Sequence, residues 1–278
     1  LCAFDGKHGA TNQGHRISLV AKNMFVRNFT KELDEIKNDD EIENALRKAF
    51  LNFNKEINGI LTAKKNKSFT PVPNMSKEAL ELNLVDDGNA GCTVSVIYIK
   101  DKKLYSANIG DIEALLCRNN GDQFLLTEKH DPTNREEFER IRASGGYVSG
   151  GGELDGQLSV SRGVGFFNFL PHTHCGPTIR RFKITNDDDM IILGSKQLWD
   201  FISYESAVDI IRKDKNDPMV AAQKLRDFAI CYGATDKICV IVLTFGNRQK
   251  QAANMYSNYG VDRRRRDKQQ VVGGDSNL

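Results

Sequence analysis

The chain has 278 residues, of which 40% are hydrophobic and 27% charged, and its formal net charge is +2 at pH 7. These proportions are typical of a globular protein with a sizeable core, and no apolar run approaches the ~20 residues of a membrane-spanning helix. From Gly246 onward the tail has seven basic and three acidic residues, a charge of +4, so the preceding residues sum to −2. A mildly acidic body argues against a nucleic-acid-binding fold.

The six cysteines are spread along the chain without the spacing of a zinc site. Cys92 and Cys239 lie inside apolar, strand-like runs, where a reduced buried thiol is expected. We therefore predict an intracellular, cytoplasmic protein. Because the chain opens on "LCAFD", without a methionine or a signal-peptide pattern, we also expect it to be a piece of a longer polypeptide.

The first ninety residues predict one strand followed by helices. After the strand "LCAF", apolar residues recur at helical spacing over 11–36 and again over 40–60, where Gly59 is expected to end the second helix. Residues 62–88 are polar and contain two prolines, which predicts a loop, with a short helix from Lys77 to Leu84 as an option.

The middle of the chain predicts a run of strands and then a helix. The strands are "CTVSVIYI", "KLYSANIG" and "EALLCRNN". Thr133 and Glu136 have the spacing of a capping box and Gly145 suits a helix C-terminus, which predicts a helix over 134–143. A further strand is expected at 157–160.

The last part of the body repeats the alternation of strand and helix. A strand over 189–194 precedes a helix over 205–213, and Asp217 with Pro218 predicts the start of a helix that stops at Gly233. "KICVIVLTF" reads as the final core strand. Strands in meander-like order, with helices grouped early and late, predict an α+β domain over 1–245 and a basic flexible linker over 246–278.

Three aspartates lie in turns next to predicted core strands: Asp5, Asp111 and Asp236. Each one alone is typical of an ordinary turn. Together, carboxylates at the ends of several strands of one sheet are what Mg²⁺ or Mn²⁺ needs, and a paired site can generate hydroxide for hydrolysis.

The order of motifs resembles that of the metal-dependent type 2C protein serine/threonine phosphatases. "LCAFDGKHGA" is similar to the family's strand with an Asp-Gly-His-Gly turn, and "LYSANIGDIEALL" to its Ala-Asn-Val-Gly-Asp-Ser-Arg hairpin. Further matches are "GCTVSVIYI", "LLTEKHDPTNREEFERIRASGGYVS", "LSVSRGVG", "MIILGSKQLWDFIS" and "DKICVIVL". The resemblance covers nearly the whole body and implies a four-layer α-β-β-α sandwich, with metals bound at one end of the two sheets.

Four metal-binding positions of the family are retained. The resemblance implies that Asp5 is a bridging ligand, that Gly6 offers its carbonyl oxygen, that Asp236 binds one metal and that Asp111 is associated with an additional metal. The family's phosphate-binding Arg and metal-binding Glu would precede the first residue of this chain.

Other functional positions of the family hold different residues in this chain. The family histidine proposed as general acid falls on Lys7, with His8 one position late, and an Asp after the Ser-Arg element falls on Phe166. The metal-binding Asp-Gly of the Ser-Asp-Gly-Leu-Trp turn is replaced by Lys196 and Gln197.

Lys196 favours a fold that has lost its metal centre. At ~4 Å and an effective dielectric near 20, two like unit charges repel by about 4 kcal/mol, before the double charge of the ion is counted. We expect the ammonium of Lys196 to contact Asp5 and Asp236 as a counter-ion. The resulting hypothesis is a pseudophosphatase with no catalytic residues and no cofactor.

The degenerate motifs and the arginine-rich tail resemble the segment of fungal-type adenylate cyclases that lies between the leucine-rich repeats and the cyclase domain. This resemblance implies a regulatory or scaffolding role within a protein that makes cAMP. Two alternatives remain: a weak phosphatase using Mg²⁺ or Mn²⁺, and a lipid- or RNA-binding module acting through the tail. The expected partners are other domains of the same polypeptide or regulatory proteins, without nucleic acid.

Several conspicuous residues favour ordinary explanations. Peripheral membrane contact is a further option for Arg263, Arg264, Arg265 and Arg266, although a solvated linker explains this run as well. His172 and His174 have ligand-like spacing but no partner cluster, and Trp199, the single tryptophan, is expected to pack in the core.

Overall fold

The computed structural model describes residues 1–7, 13–65, 88–214 and 216–245, the side chains of 61–65 excepted. The strands are β1 (Cys2–Lys7), β2 (Gly91–Lys100), β3 (Lys103–Ile109), β4 (Glu113–Arg118), β5 (Gln123–Leu125), β6 (Val164–Gly165), β7 (Thr178–Lys183), β8 (Asp188–Gly194) and β9 (Val240–Thr244). The helices are α1 (Gly14–Glu35), α2 (Ile42–Lys65), α3 (Arg135–Ala143), α4 (Lys196–Trp199), α5 (Tyr204–Ile211) and α6 (Pro218–Cys231).

The strands form two antiparallel sheets. The first sheet has the order β1-β2-β3-β7, with the two-residue β6 pairing to β2, and the second has the order β5-β4-β8-β9. Short turns join β2 to β3, at "KDKK", and β4 to β5, whereas the other paired strands are joined by longer segments.

Three apolar layers hold the elements together and confirm the predicted α+β fold with four layers. The first lies between α1, α2 and the first sheet, where Phe25, Phe50 and Phe53 are fully buried. The second lies between the sheets, and the third lies between the second sheet and α4, α5 and α6. Each sheet therefore packs a helical layer on one face and the other sheet on the opposite face.

The two long helices follow the predicted apolar stripes, with one correction. Ile17 and Met24 of α1 and Ile57 of α2 are buried as expected. Gly59 does not end α2, which continues to Lys65. A glycine inside a helix costs only about 1 kcal/mol, which is less than the packing of α2 against its neighbours can supply. The optional helix 77–84 and the predicted linker 246–278 lie outside the described residues.

The region around α3 corrects two predictions. Thr133 is not the N-cap, because its hydroxyl and its amide both donate to Asp131 Oδ1. Asn134 occupies the cap position, but its side chain makes no capping hydrogen bond to the helix. The predicted strand at 157–160 is wrong, since only single bridges such as Leu154 to Leu158 occur there. Glycine-rich turns fold the segment back on itself before it can pair with a sheet.

The start of α6 confirms the capping prediction. Asp217 Oδ1 accepts a hydrogen bond of 3.1 Å from the amide of Val220, and Pro218 is the first helical residue. The helix ends at Cys231, two residues before Gly233, which has a φ of +109°. Among the described residues, no helix is both long and apolar enough to cross a membrane.

Candidate functional site

The three strand-end aspartates lie in one electrostatic environment at one end of the sandwich. Ala3 of β1 packs between the sheets, so by alternation Asp5 and Lys7 face the same inter-sheet space. Asp111 follows β3 and Asp236 precedes β9, and the charges of both raise the pKa of Asp5. Asp5 and Asp111 therefore lie close together at this end, and Asp236 lies near enough for its charge to act on Asp5.

A lysine occupies the middle of this cluster. Lys7 Nζ lies 2.8 Å from Asp5 Oδ2 and 3.0 Å from Asp111 Oδ2. The Lys7 and Asp5 side chains are 14% exposed and the Asp111 side chain is 2% exposed, so solvent screens these charges weakly. We call this arrangement of Asp5, Lys7 and Asp111 the lysine clamp.

The clamp shifts the pKa values of its members. Burial raises the pKa of Asp5 above its ordinary value, and Lys7 opposes this by its charge and its hydrogen bond. Burial alone would lower the pKa of Lys7, but Asp111 and Asp5 together raise it. Lys7 is therefore held as an ammonium ion between the two carboxylates.

The predicted role of Lys196 is wrong. Its ammonium pairs with Asp200, one turn further along α4, and both side chains are about one-third exposed. Since Lys196 is the first residue of α4, its side chain lies along the helix surface, where the i,i+4 partner is nearest. Lys7, not Lys196, is the counter-ion of Asp5.

Gln197 and Ser195 fasten the α4 turn to the loop that carries Asp236. Gln197 Oε1 accepts from the amide of Asp236 at 3.4 Å. Ser195 Oγ accepts from the amide of Cys239 at 3.0 Å and donates to the carbonyl oxygen of Lys237 at 3.4 Å. These neutral contacts join the two loops by side-chain and backbone hydrogen bonds.

Phe166 fills the space beside the clamp with an aromatic ring. It is fully buried and has left-handed dihedral angles, φ +55° and ψ +38°, which are rare for a bulky residue. A Cβ atom on Gly91 would lie 2.6 Å from this ring, and one on Gly163 would lie 2.2 Å from it. Because Gly91 is the register partner of Lys7, the ring packs against β2 directly beside the strand that carries Asp5 and Lys7.

His130 supports the turn that carries Asp111. Its Nδ1 accepts from the amide of Gly110 at 3.0 Å, and its own amide donates to the carbonyl oxygen of Gly110 at 2.9 Å. Burial, together with the nearby charge of Arg162, lowers the pKa of His130 to about 3, so the ring is neutral. Sequence reasoning included this histidine in a motif without giving it a role.

Other side chains take the ordinary roles that the sequence favoured. Trp199 packs against the core of the second sheet and donates from Nε1 to the carbonyl oxygen of Gly194 at 3.1 Å. His172 Nδ1 lies 3.0 Å from Ser144 Oγ, and His174 Nδ1 accepts from the amide of Gly176. Among the described residues, no group of three or more His, Cys, Asp or Glu side chains is arranged to hold a metal.

The residues present do not fit a divalent metal centre. An ammonium ion already contacts both Asp5 and Asp111. A doubly charged ion placed ~4 Å from it would be repelled by about 8 kcal/mol at an effective dielectric near 20. Lys196 and Gln197 add no carboxylate, and Phe166 adds none either. His8, at the neighbouring position, lies outside the described residues.

The chain matches a known protein family and resembles solved structures of the same fold. The model described as "Protein phosphatase 2C" matches residues 4–238. Among solved structures, a sex determining protein of C. elegans has a TM-score of 0.72 at 19% identity, covering 90% of this chain and 57% of that one. A serine-threonine phosphatase 2C from Toxoplasma gondii has a TM-score of 0.63 at 17% identity, covering 88% and 84%. At these identities the structural likeness concerns the fold alone.

Sequence relatives fall into two groups. An adenylate cyclase of Lachancea kluyveri is 39% identical over 93% of this chain, and one of Neurospora crassa is 35% identical over 92%. The chain spans only 14% and 11% of the length of these two relatives. "Probable protein phosphatase 2C 71" of Arabidopsis thaliana is 35% identical over 56% of the chain and 35% of its own length.

Proposed function

The chain belongs to the protein phosphatase 2C family, and we propose that it is a regulatory or scaffolding pseudophosphatase domain of a larger signalling protein, a fungal-type adenylate cyclase. The proposal has two parts. One concerns the chemistry of the domain and the other concerns its parent protein.

The lysine clamp carries the chemical part. Phosphatases of this family depend on Mg²⁺ or Mn²⁺, and a paired metal site acts by generating hydroxide and by neutralising charge on the phosphoryl group. Lys7 pairs with Asp5 and Asp111 but, as an ammonium ion, it does not acidify a bound water to hydroxide as a metal ion does. The site can therefore keep the loops folded without supplying the nucleophile.

The similarity to fungal adenylate cyclases supports the parent-protein part, because it extends over nearly the whole chain. Since the chain corresponds to a small share of those relatives, we place cAMP synthesis in other domains of the parent. Leucine-rich repeats elsewhere in the parent belong to the same proposal. The partners that we propose are those other domains and regulatory proteins that bind them.

The competing function is a weak Mn²⁺-dependent phosphatase, and the retained Asp5, Asp111 and Asp236 favour it. Turnover of a phosphopeptide with Mn²⁺ separates the two. We expect the chain to give the same background rate as its Asp5→Asn variant, because neither forms a metal-bound hydroxide. Turnover that Asp5→Asn abolishes would overturn the pseudophosphatase proposal.

The regulatory role is tested in the intact parent protein. Lys7→Gln disrupts the clamp without changing any cyclase residue, so we expect it to change cAMP output at equal protein level. Lys196→Gln is the matched control, because it removes a lysine that pairs only at the surface. Equal cAMP output from the unmodified parent protein, Lys7→Gln and Lys196→Gln would contradict a regulatory role for the clamp.

A further inference from the structure

The inter-sheet space behind the lysine clamp contains polar groups that no described protein group satisfies. Thr93 Oγ1, Ser95 Oγ and both carboxylate oxygens of Asp111 are buried, and among the described residues none has a hydrogen-bond partner. Asp111 Oδ2 has its ion-pair contact with Lys7, but Oδ1 has no comparable contact. An unsatisfied buried polar group costs about 1–3 kcal/mol, so two such hydroxyls beside a partly satisfied carboxylate require an explanation.

These groups lie together in the fold. Thr93 is the register partner of Asp5, and a Cβ atom on Gly110, the residue before Asp111, would lie 2.1 Å from Thr93 Cγ2. Ile97 of β2 packs between the sheets, so by alternation Thr93 and Ser95 face the same space. All three unsatisfied residues therefore border the inter-sheet end of the clamp.

The charge balance of the clamp points to a polar occupant. Two carboxylates share one ammonium, which leaves one negative charge in a region where Asp111 is 1% exposed. A buried carboxylate with too few donors is costly unless something else donates to it. The neighbouring polar side chains on β3 are already used, since Ser106 Oγ donates to the carbonyl oxygen of Leu126 and Asn108 bonds to the backbone of Glu128.

Water can join the two hydroxyls only under one of two conditions. The Cα atoms of residues two apart on a strand are about 6.7 Å apart, whereas a single water making two hydrogen bonds of about 2.8 Å spans at most about 5.6 Å, so the hydroxyls either lean toward one water or are joined by more than one. Internal waters typically make about three hydrogen bonds to buried polar groups. Thr93, Ser95 and Asp111 supply that number of partners, two of them able both to donate and to accept.

We propose that ordered internal water is bound between the two sheets by Thr93 Oγ1, Ser95 Oγ and the Asp111 carboxylate, behind the lysine clamp. The water donates to Asp111 and connects it to the hydroxyls of β2. The hydrogen bonds from this water stabilise the negative charge that remains on the two carboxylates after they pair with Lys7. The site does not depend on whether the chain is a phosphatase or a pseudophosphatase.

The sign of a stability change tests the proposal on the 278-residue chain. Thr93→Val preserves shape and removes one water ligand, so we expect the unfolding equilibrium constant in urea to rise about fivefold or more. Ser95→Ala should act in the same direction. If the hydroxyls were unsatisfied, Thr93→Val would leave the constant unchanged or lower it, which would overturn the proposal. Ser106→Ala is the control, because it removes a buried hydroxyl with a direct protein acceptor.

Two further measurements identify the occupant. Long-lived water should give nuclear Overhauser effects to the amides of Thr93 and Ser95, and these effects should weaken in the double variant Thr93→Val/Ser95→Ala. Unfolding in sodium, potassium and tetramethylammonium chloride at equal ionic strength should give equal midpoints for the wild-type chain. A midpoint that rises only with sodium or potassium would assign the site to a metal cation and overturn the assignment to water.

Discussion

At the scale of single residues, the central feature is the identity of the lysine that pairs with the strand-end carboxylates. The sequence shows two lysines near these positions, and reasoning from the family motif favours Lys196. The sequence does contain a signal for Lys7. Asp5 and Lys7 are two residues apart on one strand, and such residues share a face of the sheet. What the sequence could not provide is the start of helix α4 at Lys196, which directs that side chain toward Asp200.

Replacing Lys7 should therefore have a much larger effect than replacing Lys196. Lys7→Gln leaves two buried carboxylates without a cation, and we expect it to lower the free energy of unfolding by about 3–5 kcal/mol. Lys196→Gln removes a partly exposed ion pair and should cost less than about 1 kcal/mol. Urea unfolding of both variants measures the difference, and equal losses would contradict the clamp.

The same variant should acquire a dependence on divalent ions. With the ammonium gone, Asp5 and Asp111 face each other without a counter-charge, and Mn²⁺ can neutralise them. We expect Mn²⁺ to raise the melting temperature of Lys7→Gln and to leave that of the wild-type chain unchanged. A rise of similar size in both proteins would count against the clamp as a substitute for the metal.

His130 gives the fold a sensitivity to acid. Its pKa is lowered to about 3 in the folded chain, whereas an unfolded histidine has a pKa of about 6.5. The unfolded state therefore binds the proton first as the pH falls, and the stability present above pH 6.5 is lost progressively between pH 6.5 and about 3. A single titrating group changes the free energy of unfolding by at most about 1.4 kcal/mol per pH unit.

Urea unfolding between pH 7.5 and 5 checks this contribution. His174, whose pKa is lowered to about 4 mainly by burial, adds a slope of the same sign, so the comparison must be made between variants. His130→Asn should remove the uptake of about one proton on unfolding and so reduce the pH slope of the free energy of unfolding. The asparagine side chain still offers an acceptor to the amide of Gly110. An unchanged slope in His130→Asn would show that this histidine is not the titrating group.

At the scale of secondary-structure elements, α3 depends on a buried charge network that the sequence pattern does not reveal. Arg162 and Arg140 both bond to Glu137, which is 4% exposed. Burial alone would raise the pKa of Glu137, but the hydrogen bonds and charge of Arg162 and the hydrogen bond from Arg140 lower it to about 2. This carboxylate therefore stabilises the fold above pH 4.5, and that contribution is lost as the pH falls toward 2.

Glu137→Gln should destabilise the chain by about 3–5 kcal/mol at pH 7, because two arginines lose their shared carboxylate. Glu139→Gln is the control on the same helix, since the Glu139 side chain is 65% exposed and pairs with Arg135 at the surface. It should change the free energy of unfolding by less than about 0.5 kcal/mol. Similar losses in the two variants would mean that the buried network contributes little.

The elements that sequence reasoning predicted well are those with a local cause. The apolar stripe of α1 and the cap at Asp217 need only neighbouring residues, and both were predicted. Strand β7 was missed because its residues, "TIRRFK", show no clear alternation of apolar and polar side chains, and the strand forms by pairing with β3. The cap of α3 was misassigned because Asp131 competes for the hydroxyl of Thr133.

At the scale of the whole molecule, the two sheets and their helical layers are those of the phosphatase 2C fold. An ammonium ion lies between two carboxylates, an aromatic ring covers the adjacent strand, and neutral hydrogen bonds join the α4 turn to the Asp236 loop. The order of sequence motifs was enough to predict the fold. The contacts of Lys7, Phe166 and Gln197 could be identified only from the three-dimensional arrangement.

Calorimetric titration of the 278-residue chain with Mn²⁺ at pH 7 tests most directly the proposal that the domain has no metal centre. The lysine clamp predicts no heat of specific binding, because the ammonium of Lys7 already occupies the position between Asp5 and Asp111. Binding of two Mn²⁺ ions with micromolar affinity would contradict it.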